Sequence, residues 1–341
     1  MSQVGTTRTM SRLADRHGRV ATDLRVSLTD RCNLRCTYCM PPEGLDWTPD
    51  EELLTNEELV RLVRIGVERL GIRTVRLTGG EPLLRADLTE IIAAIADLAP
   101  RPVIALTTNG IGLAQRAQRL RDAGLDRINV SLDTLDPERF RQITRRKRHA
   151  DVLAGIRAAT QAGLAPVKVN SVLMRGINDD EAPALVEWAG REGVELRFIE
   201  QMPLDAQHGW RRDTMVTADE VMAALAGHRL TPVSREGIAR GSAPSEMFRV
   251  GGTEQVIGII ASVSRPFCGA CDRVRLTADG QLRNCLFSRG EDDLRAALRS
   301  GADDETVAEQ WIRSVAVKRA GHGIDDPSFL QPDRPMSAIG G

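Results

Sequence analysis

Six alternations between strand-like and helix-like segments over residues 23–202 are the strongest constraint on how this chain of 341 residues folds. The helix-like segments repeat apolar residues at three- and four-residue intervals, and the first has Thr55 and Glu58 in capping-box spacing. Such alternation predicts a parallel β-sheet with helices packed outside it. The predicted strands are 24–29, 74–79, 103–108, 128–133, 167–173 and 195–200, and the predicted helices are 55–71, 86–100, 113–124, 151–163 and 180–193.

Eight strand–helix units would close a complete TIM barrel, so six units predict an open, partial (βα)6 TIM-like barrel. The gap must be covered, and the remainder of the chain predicts a smaller α+β region that covers it. Its predicted elements include a short helix at 217–225, a strand around 255–263 and a final pair of helices. We therefore expect an N-terminal arm at 1–22, the barrel at 23–225 and the C-terminal region at 226–341.

Charge and hydropathy restrict the surroundings and the partners of the chain. A formal net charge of −1 argues against a broad nucleic-acid surface, and no apolar run is long enough to span a bilayer. The N-terminal residues lack the apolar segment of a secretory signal, so we expect a cytoplasmic protein whose thiols stay reduced. Its six cysteines are then expected to be metal ligands or redox groups rather than disulfides.

Polar elements end or follow five of the six predicted strands and lie within the fifth strand, and parallel barrels collect their functional residues at the carboxyl ends of the strands. Taken singly, each has an ordinary explanation as a turn or as a solvated side chain. Because six strands direct such elements to one rim, their joint placement predicts a single large pocket. The elements are the cysteine loop after the first strand, 79–82, 107–110, 131–133, Lys168 with Asn170, and 201–203.

The first cysteine group is a triplet, Cys32, Cys36 and Cys39, with no histidine nearby in the sequence. A structural zinc site or unrelated buried thiols are the alternatives, but structural zinc usually takes four ligands from paired hooks. Three thiolates in so tight a loop favour a cubane iron–sulfur cluster, in which each cysteine binds a different iron. The fourth iron would then be open to an exogenous ligand.

The second cysteine group is Cys268, Cys271 and Cys285, again without a nearby histidine. A zinc knuckle completed by a distant ligand is the alternative, but no seventh cysteine exists to complete it. This triplet therefore also predicts a cluster with one open iron. Arg273 and Arg275 lie between its ligands and would point to the same side of a strand, which indicates an anionic ligand.

The spacing Cys-x3-Cys-x2-Cys, with Tyr38 before the last cysteine and Gly-Gly-Glu-Pro at 79–82, resembles the radical S-adenosylmethionine (SAM) superfamily. The resemblance implies that SAM chelates the open iron of the first cluster through its amino and carboxylate groups. One electron from the reduced cluster then cleaves SAM to a 5′-deoxyadenosyl radical. The two glycines, lacking a Cβ, would let the backbone approach SAM closely. The implied SAM contacts are Tyr38, Gly80, Ser131 and Met202.

Two triplets in this arrangement, and a chain that ends in Gly340-Gly341, resemble the GTP 3′,8-cyclase family of molybdenum-cofactor biosynthesis over residues 20–341. The resemblance implies two [4Fe-4S] clusters with GTP bound between them. The radical would abstract the C3′ hydrogen of GTP, and C3′ would then attack C8 of guanine. The product would be (8S)-3′,8-cyclo-7,8-dihydroguanosine 5′-triphosphate, and the glycine tail would reach into the active site.

The same resemblance assigns residues to GTP. No Walker A loop and no GxGxxG segment occurs in the sequence, so phosphate binding must depend on side chains. Thr107 and Thr108 compete for one matching position, and we expect Thr107. The implied catalytic residues are Arg25, Arg273 and Arg275. The implied GTP contacts are Arg25, Arg76, Thr107, Lys168, Arg273, Val274 and Arg275.

Other interpretations and further partners follow from the same features. A radical SAM enzyme that modifies peptides with auxiliary clusters is one alternative, although such enzymes typically carry more C-terminal cysteines. A zinc-stabilised binding protein without catalysis is the other. The basic run 145–149 is interpreted as a solvated loop rather than a nucleic-acid patch. The resemblance implies a homodimer, a flavodoxin- or ferredoxin-type electron donor and a downstream cyclic pyranopterin monophosphate synthase.

Overall fold

The computed structural model describes residues 12–233 and 241–340, in which twelve strands form one mixed sheet. The strands are β1 (Asp23–Ser27), β2 (Thr74–Thr78), β3 (Val103–Thr108), β4 (Arg127–Ser131), β5 (Val167–Val172), β6 (Glu195–Ile199), β7 (Thr231–Pro232), β8 (Glu246–Arg249), β9 (Val256–Ile260), β10 (Arg273–Leu276), β11 (Gln281–Arg283) and β12 (Asp292–Asp293). The helices are α1 (Asn56–Glu68), α2 (Leu88–Ala96), α3 (Ala117–Asp122), α4 (Pro137–Thr144), α5 (His149–Gln161), α6 (Ala182–Glu192), α7 (Ala218–Ala224), α8 (Leu294–Arg299), α9 (Asp304–Ala316) and α10 (Met336–Ile339).

The centre of the sheet is parallel and has the order β10-β1-β2-β3-β4-β5-β6-β9. Its six middle strands, β1 to β6, are the six predicted from the sequence, each paired with the next. Antiparallel strands continue the sheet at both edges, β11 and β12 beside β10, and β8 and β7 beside β9. The prediction of an open, partial TIM-like barrel is confirmed.

The C-terminal part of the chain extends this sheet on both sides. β10 pairs with β1 and β9 pairs with β6, both in parallel register. The C-terminal region therefore covers the opening of the barrel in part by adding one parallel strand to each of its edges. The division of the chain at residues 22 and 225 stays a prediction, and residues 1–11, 234–240 and 341 lie outside the described part.

The helices follow the apolar periodicity of the sequence. In α1 the capping box is complete, because Thr55 Oγ1 accepts from Glu58 N at 3.2 Å and Glu58 Oε2 accepts from Thr55 N at 2.9 Å. All five predicted barrel helices are present, although the segment 113–124 is helical as α3 only after a 3₁₀ turn. No helix in the described residues is long and apolar enough to cross a membrane.

Two helices were not predicted. α4 is capped by Asp136, whose carboxylate accepts from two backbone N–H groups, and it has Pro137 in its first turn. These are ordinary helix-start signals that the sequence does contain. α10 has only four residues, too few for apolar periodicity to reveal it.

Candidate active site

A cavity of about 380 Å³ lies inside the partial barrel. Every one of the six middle strands contributes a side chain to its wall, as the joint placement of polar elements predicted. The predicted site residues on this wall are Arg25, Tyr38, Arg76, Thr107, Ser131, Met202, Cys268, Cys271, Arg273, Arg275 and Cys285. The predicted site residues that do not line it are Cys32, Cys36, Cys39, Gly80, Lys168 and Val274.

The two cysteine triplets lie at opposite ends of the barrel. The first triplet follows β1, so it lies beyond the carboxyl end of that strand. Cys268 and Cys271 precede β10, and Cys285 follows its antiparallel neighbour β11. Because β10 is parallel to β1, the second triplet lies at the amino end of the same sheet. The site is therefore built across the barrel, from one end to the other, rather than at a single rim.

Three arginines stand side by side on adjacent strands between these ends. The sheet register aligns Arg25 of β1 with Arg76 of β2 on one side and with Arg275 of β10 on the other. Neighbouring strands are about 4.8 Å apart, so like charges at this spacing repel one another. Burial is the main cause that lowers the pKa of all three guanidiniums, that of Arg76 to about 10. The charge of Arg25 lowers the values of Arg76 and Arg275 further, and that of Arg273 lowers the values of Arg25 and Arg275.

We call Arg25, Arg76 and Arg275 the arginine row, and the row lacks the carboxylates that would neutralise its charge. Among the described residues, Asp23 is the only carboxylate that forms an ion pair with the row, and its Oδ1 is 3.9 Å from Arg25 Nε. The charge of Asp272 acts on Arg25 as well, but more weakly. Arg25 Nε and both Nε and Nη1 of Arg76 are buried with no hydrogen-bond partner among the described residues. Buried cationic donors without partners are unfavourable, so this row is suited to a polyanion such as a triphosphate.

Arg273 and Arg275 both face the cavity, as the two-residue spacing predicted, but they have different neighbours. Arg273 donates to Ser242 O, and its guanidinium carbon lies 5.0 Å from the Phe267 ring centroid. Arg275, 4% exposed, donates to Gly340 O. Val274 points the other way into the hydrophobic core, so only its backbone could contact a ligand.

The thiols of the first triplet are buried and near one another. Burial is the main cause that raises their pKa values, to about 11 at Cys32 and about 12 at Cys39, and well above the ordinary value at Cys36. Neighbouring thiols raise the values at Cys36 and Cys39 further. Three thiolates in this loop need cationic compensation, which the iron atoms of a [4Fe-4S] cluster would supply.

The thiols of the second triplet fit a cluster as well. Burial raises the pKa of Cys268, and Cys285 and Cys271 raise it further because the three sulfurs are near one another. Burial also acts on Cys271, but Lys318 and Arg273 outweigh it and lower the pKa of that thiol. No three His, Cys, Asp or Glu side chains of the described residues are placed to share a single metal ion, whereas in a cubane each cysteine binds its own iron.

Glu81 of the Gly-Gly-Glu-Pro segment ties two strand-end loops together. It is fully buried, its Oε1 accepts from Thr108 Oγ1 at 2.6 Å and from Leu83 N at 2.9 Å, and its Oε2 accepts from Asn109 N at 2.7 Å. Burial raises the pKa of Glu81 to about 7 against the effect of these hydrogen bonds. The hydroxyl of Thr108 is thus used in the hydrogen bond to Glu81, and Thr107 is the threonine that faces the cavity.

The glycines of this segment have a structural reason other than the expected approach to a ligand. Gly80 N donates to Thr29 O at 2.7 Å, so the segment lies directly against the start of the cysteine loop. A Cβ on Gly80 would lie 2.3 Å from Arg31 O and 2.4 Å from Asp30 O. Backbone oxygens cannot yield as a flexible side chain can, so contact between the two loops requires glycine here.

Replacing Gly80 by alanine is expected to destabilise the protein by about 3 kcal/mol or more, because the clash is with backbone. A loss of this size corresponds to a fall of roughly 6 °C or more in the thermal unfolding midpoint. Gly227→Ala is the matched control, since no atom lies within 4 Å of a Cβ built there. Equal midpoints for the two variants, measured by calorimetry under anaerobic conditions, would contradict the packing argument.

Tyr38 is held by a carboxylate that was not among the predicted site residues. Its hydroxyl donates to Asp133 Oδ2 at 2.8 Å, and Asp133 Oδ1 accepts from Val172 N at 2.9 Å. Burial raises the pKa of Asp133 to about 6. Ser131 and Met202 line the same cavity as Tyr38, so three of the four implied SAM contacts come together. Asp133 belongs to the predicted polar element 131–133, and this was the available signal for it.

Lys168 lies on β5 on the same side of the strand as Asn170, which lines the cavity, but Lys168 itself is not part of the cavity wall. Its half-buried position is the main cause that lowers its pKa to about 8, and the charge of Arg197 contributes next. Arg197 itself lines the cavity and was not predicted. Its Nε donates to Glu195 Oε1 at 2.6 Å.

GTP affinity is expected to fall as the pH rises above 8 if Lys168 contacts the triphosphate. A phosphate group favours the ammonium form, so binding takes up a proton wherever the free lysine is neutral. The expected loss is up to about tenfold in affinity per pH unit above the pKa. Lys168→Arg should flatten this dependence because arginine stays charged. Dissociation constants from pH 7 to 9.5 test this, and parallel curves for the two proteins would remove Lys168 from the site.

The basic run 145–149 is only partly the predicted solvated loop. Residues 146–148 are exposed, as predicted, but Arg145 and His149 are not. Arg145 Nη1 donates to Arg35 O at 2.8 Å, within the first cysteine loop, and His149 Nε2 lies 3.2 Å from Thr134 O. The prediction is wrong for these two residues, because long-range backbone acceptors hold them against the fold.

The chain terminus is inside the barrel as far as the described residues extend. Gly340 O accepts from Arg275, and a Cβ on Gly340 would lie 2.3 Å from Ser27 Oγ and 2.8 Å from Thr78 Cγ2. The residue must therefore be small to fit against the side chains of Ser27 and Thr78 at the carboxyl ends of β1 and β2. Gly341, the second glycine of the predicted tail, lies outside the described residues.

Comparison with known proteins identifies relatives over nearly the whole chain. Residues 26–189 match the radical SAM superfamily, and residues 194–324 match the family described as Molybdenum Cofactor Synthesis C. A GTP 3′,8-cyclase of Streptomyces coelicolor is 62% identical over 330 residues, which are 96% of this chain and 96% of the length of that protein. A GTP 3′,8-cyclase of Mycolicibacterium smegmatis is 59% identical over 96% of this chain and 92% of its own.

Among solved structures, SuiB of Streptococcus suis bound to S-adenosylmethionine superposes with a TM-score of 0.59. It is 12% identical and covers 86% of this chain and 68% of that chain, so the likeness concerns the fold. The partial barrel and the cysteine loop after its first strand define a radical SAM enzyme. At the identities found over nearly its full length, the chain belongs to the GTP 3′,8-cyclase family.

Proposed function

We propose that this protein is a cytoplasmic GTP 3′,8-cyclase that catalyses the first step of molybdenum-cofactor biosynthesis. Its cofactors are SAM and two [4Fe-4S] clusters, held by Cys32, Cys36 and Cys39 and by Cys268, Cys271 and Cys285. When bound, the first cluster and SAM supply the 5′-deoxyadenosyl radical that removes the C3′ hydrogen of GTP. Bond formation between C3′ and C8 would leave a nucleotide radical, and one electron from the proposed flavodoxin- or ferredoxin-type donor together with one proton would convert it to (8S)-3′,8-cyclo-7,8-dihydroguanosine 5′-triphosphate.

The observation that carries this proposal is the arginine row between the two triplets. Radical chemistry at one end of the barrel and a second triplet at the other leave the space between them for the substrate. Arg25, Arg76 and Arg275 line that space with buried donors, which favours a polyanionic substrate over a neutral one. A triphosphate fits this requirement although the net charge of the whole chain is only −1.

The residues around the cavity would form two groups, one that binds SAM and one that binds GTP. Tyr38, oriented by Asp133, together with Ser131 and Met202, would position SAM near the first triplet. The arginine row would bind the phosphates, and Thr107 would contact the nucleoside. The cavity wall formed by β1 to β6 and by residues of the C-terminal region would limit the access of water, so that the radical reacts with the ribose rather than with solvent.

The deciding experiment measures 5′-deoxyadenosine formed by anaerobically reconstituted, reduced protein given SAM, with and without GTP. Strong stimulation by GTP, together with the cyclised nucleotide as product, is expected. Turnover that ignores GTP would keep the radical chemistry and refute the substrate. No 5′-deoxyadenosine from protein shown to contain iron would refute the assignment to SAM and return the structural-metal interpretation.

The same sample separates the remaining alternatives. Cluster protein is brown and loses its absorbance in air, whereas a zinc-stabilised binding protein is colourless. A peptide-modifying enzyme would form 5′-deoxyadenosine without a response to GTP. We further propose a reduced flavodoxin- or ferredoxin-type donor, a downstream cyclic pyranopterin monophosphate synthase and a homodimer, which reconstitution with each protein and light scattering would test.

A further inference from the structure

Lys318 is a buried cation beside the second cysteine triplet. It follows α9 and is 3% exposed. Its Nζ donates to Arg273 O at 2.8 Å and lies 3.4 Å from both the carbonyl oxygen and the sulfur of Cys271. These three atoms match the three donors of an ammonium group.

No carboxylate of the described residues forms an ion pair with Lys318, whose contacts are those to Cys271 and Arg273. A buried ammonium without an anion is unfavourable by several kcal/mol. The anion within reach is the sulfur of Cys271, which is a thiolate when it ligates iron. The position of Lys318 is therefore explained if the charge it faces is that of a cluster ligand.

Arg19 is a second buried cation beside the segment Cys268–Cys271, which we call the hook, but it has different partners from Lys318. Its Nε pairs with Asp15 Oδ2 at 2.6 Å, and its Nη1 donates to Cys268 O at 2.7 Å and to Ala320 O at 2.9 Å. Arg19 thus has its own carboxylate and contacts the hook through backbone oxygens. It ties the segment after α9 to the hook, whereas Lys318 approaches a ligand sulfur.

We propose that Lys318 is a positioning residue of the second cluster, donating a charge-assisted hydrogen bond to Cys271 Sγ and making the cluster easier to reduce. Hydrogen bonds to cluster sulfurs and nearby positive charge stabilise the more negative, reduced state and so raise the reduction potential. The bond to Arg273 O also fixes the start of β10, which carries two of the cavity arginines. The inference rests on the proposed function in one respect, that the second triplet holds a cluster.

The test is an EPR-monitored redox titration of the reconstituted protein that contains both clusters. Addition of SAM identifies the signal of the first cluster, whose potential serves as an internal reference. Lys318→Met, which keeps the length of the side chain and removes its charge, is expected to shift the second cluster to a more negative potential. Lys318→Arg should stay close to the wild type, and the first cluster should not change in either variant.

Arg19→Lys is the matched control for loosening of the Cys268–Cys271 segment, because it keeps the positive charge and loses the forked contacts of the guanidinium to backbone oxygens, and we expect it to leave the second potential unchanged. An unaltered potential in Lys318→Met with full iron content, or an equal shift in Arg19→Lys, would overturn the proposal. If Lys318→Met loses the second cluster, Lys318→Arg is the deciding variant. A second cluster at the wild-type potential in Lys318→Arg would support the proposal, whereas loss of the cluster there would show that Lys318 has only a packing role. Wild-type protein with a single cluster would count against the proposed function itself.

Discussion

Arg275→Ala is expected to weaken GTP binding, and with it the stimulation of SAM cleavage at limiting GTP, while the slow, GTP-independent cleavage continues. Arg275 stands beside Arg25 in the arginine row, between the two triplets, and it contributes no ligand to the first cluster. Truncating one partner of a buried, charge-assisted contact costs about 2–5 kcal/mol, which is roughly 30-fold or more in the dissociation constant of GTP. Equilibrium dialysis with GTP and quantification of 5′-deoxyadenosine measure the two effects separately.

Arg275 also donates to Gly340 O, so the variant disturbs the chain terminus as well as the row. A protein shortened by residues 340 and 341 is the control, because it removes that contact and keeps the guanidinium. If the shortened protein binds GTP normally and Arg275→Ala does not, the row is responsible. Unchanged GTP affinity in Arg275→Ala would remove this residue from the substrate site.

Cys285→Ala is expected to eliminate GTP-dependent turnover and to spare the first cluster. The third ligand of the second triplet is lost, and no other cysteine of the chain can replace it. The iron content should fall from about eight to about four per protein, the content of one [4Fe-4S] cluster. Iron analysis, the EPR signal of the first cluster and product formation together test this expectation.

Cys39→Ala is the mirror-image control. It should remove the first cluster, and with it all formation of 5′-deoxyadenosine, while about four iron atoms stay bound at the second triplet. Turnover with GTP in Cys285→Ala would contradict a second cluster that holds substrate. Loss of both clusters in Cys285→Ala would indicate instead that this cysteine is needed for folding.

Local sequence signals were sufficient for most of the scaffold. β-Branched runs and helical periodicity located the six middle strands and the five barrel helices, since burial against a sheet imposes these patterns residue by residue. α4 was missed although Asp136 and Pro137 mark its start, because its eight residues follow a strand end where a loop was expected. The basic run was misjudged at Arg145 because its acceptor, Arg35 O, lies 110 positions away.

The candidate site divides in the same way. The cysteine spacings and the two-residue repeat of Arg273 and Arg275 are local, so the sequence by itself indicated two cluster sites and an anionic ligand beside the second. The partners that shape the site are distant in the chain: Tyr38 and Asp133 are 95 positions apart, and Lys318 and Cys271 are 47 apart. Asp133 belongs to a predicted polar element, but the local pattern does not indicate its contact with Tyr38. Nothing in the sequence around Lys318 indicates its contact with Cys271.

The sequence alone thus determined the class of fold, the two thiol triplets and the kind of ligand, because each depends on spacing within a short segment. Only the tertiary structure placed the triplets at opposite ends of one barrel, since that follows from β10 pairing in parallel with β1 across some 250 residues. The same pairing places Arg275 beside Arg25, whose other neighbour is Arg76, and it thereby assembles, from three arginines that are far apart in the chain, the row that we propose binds the polyanion.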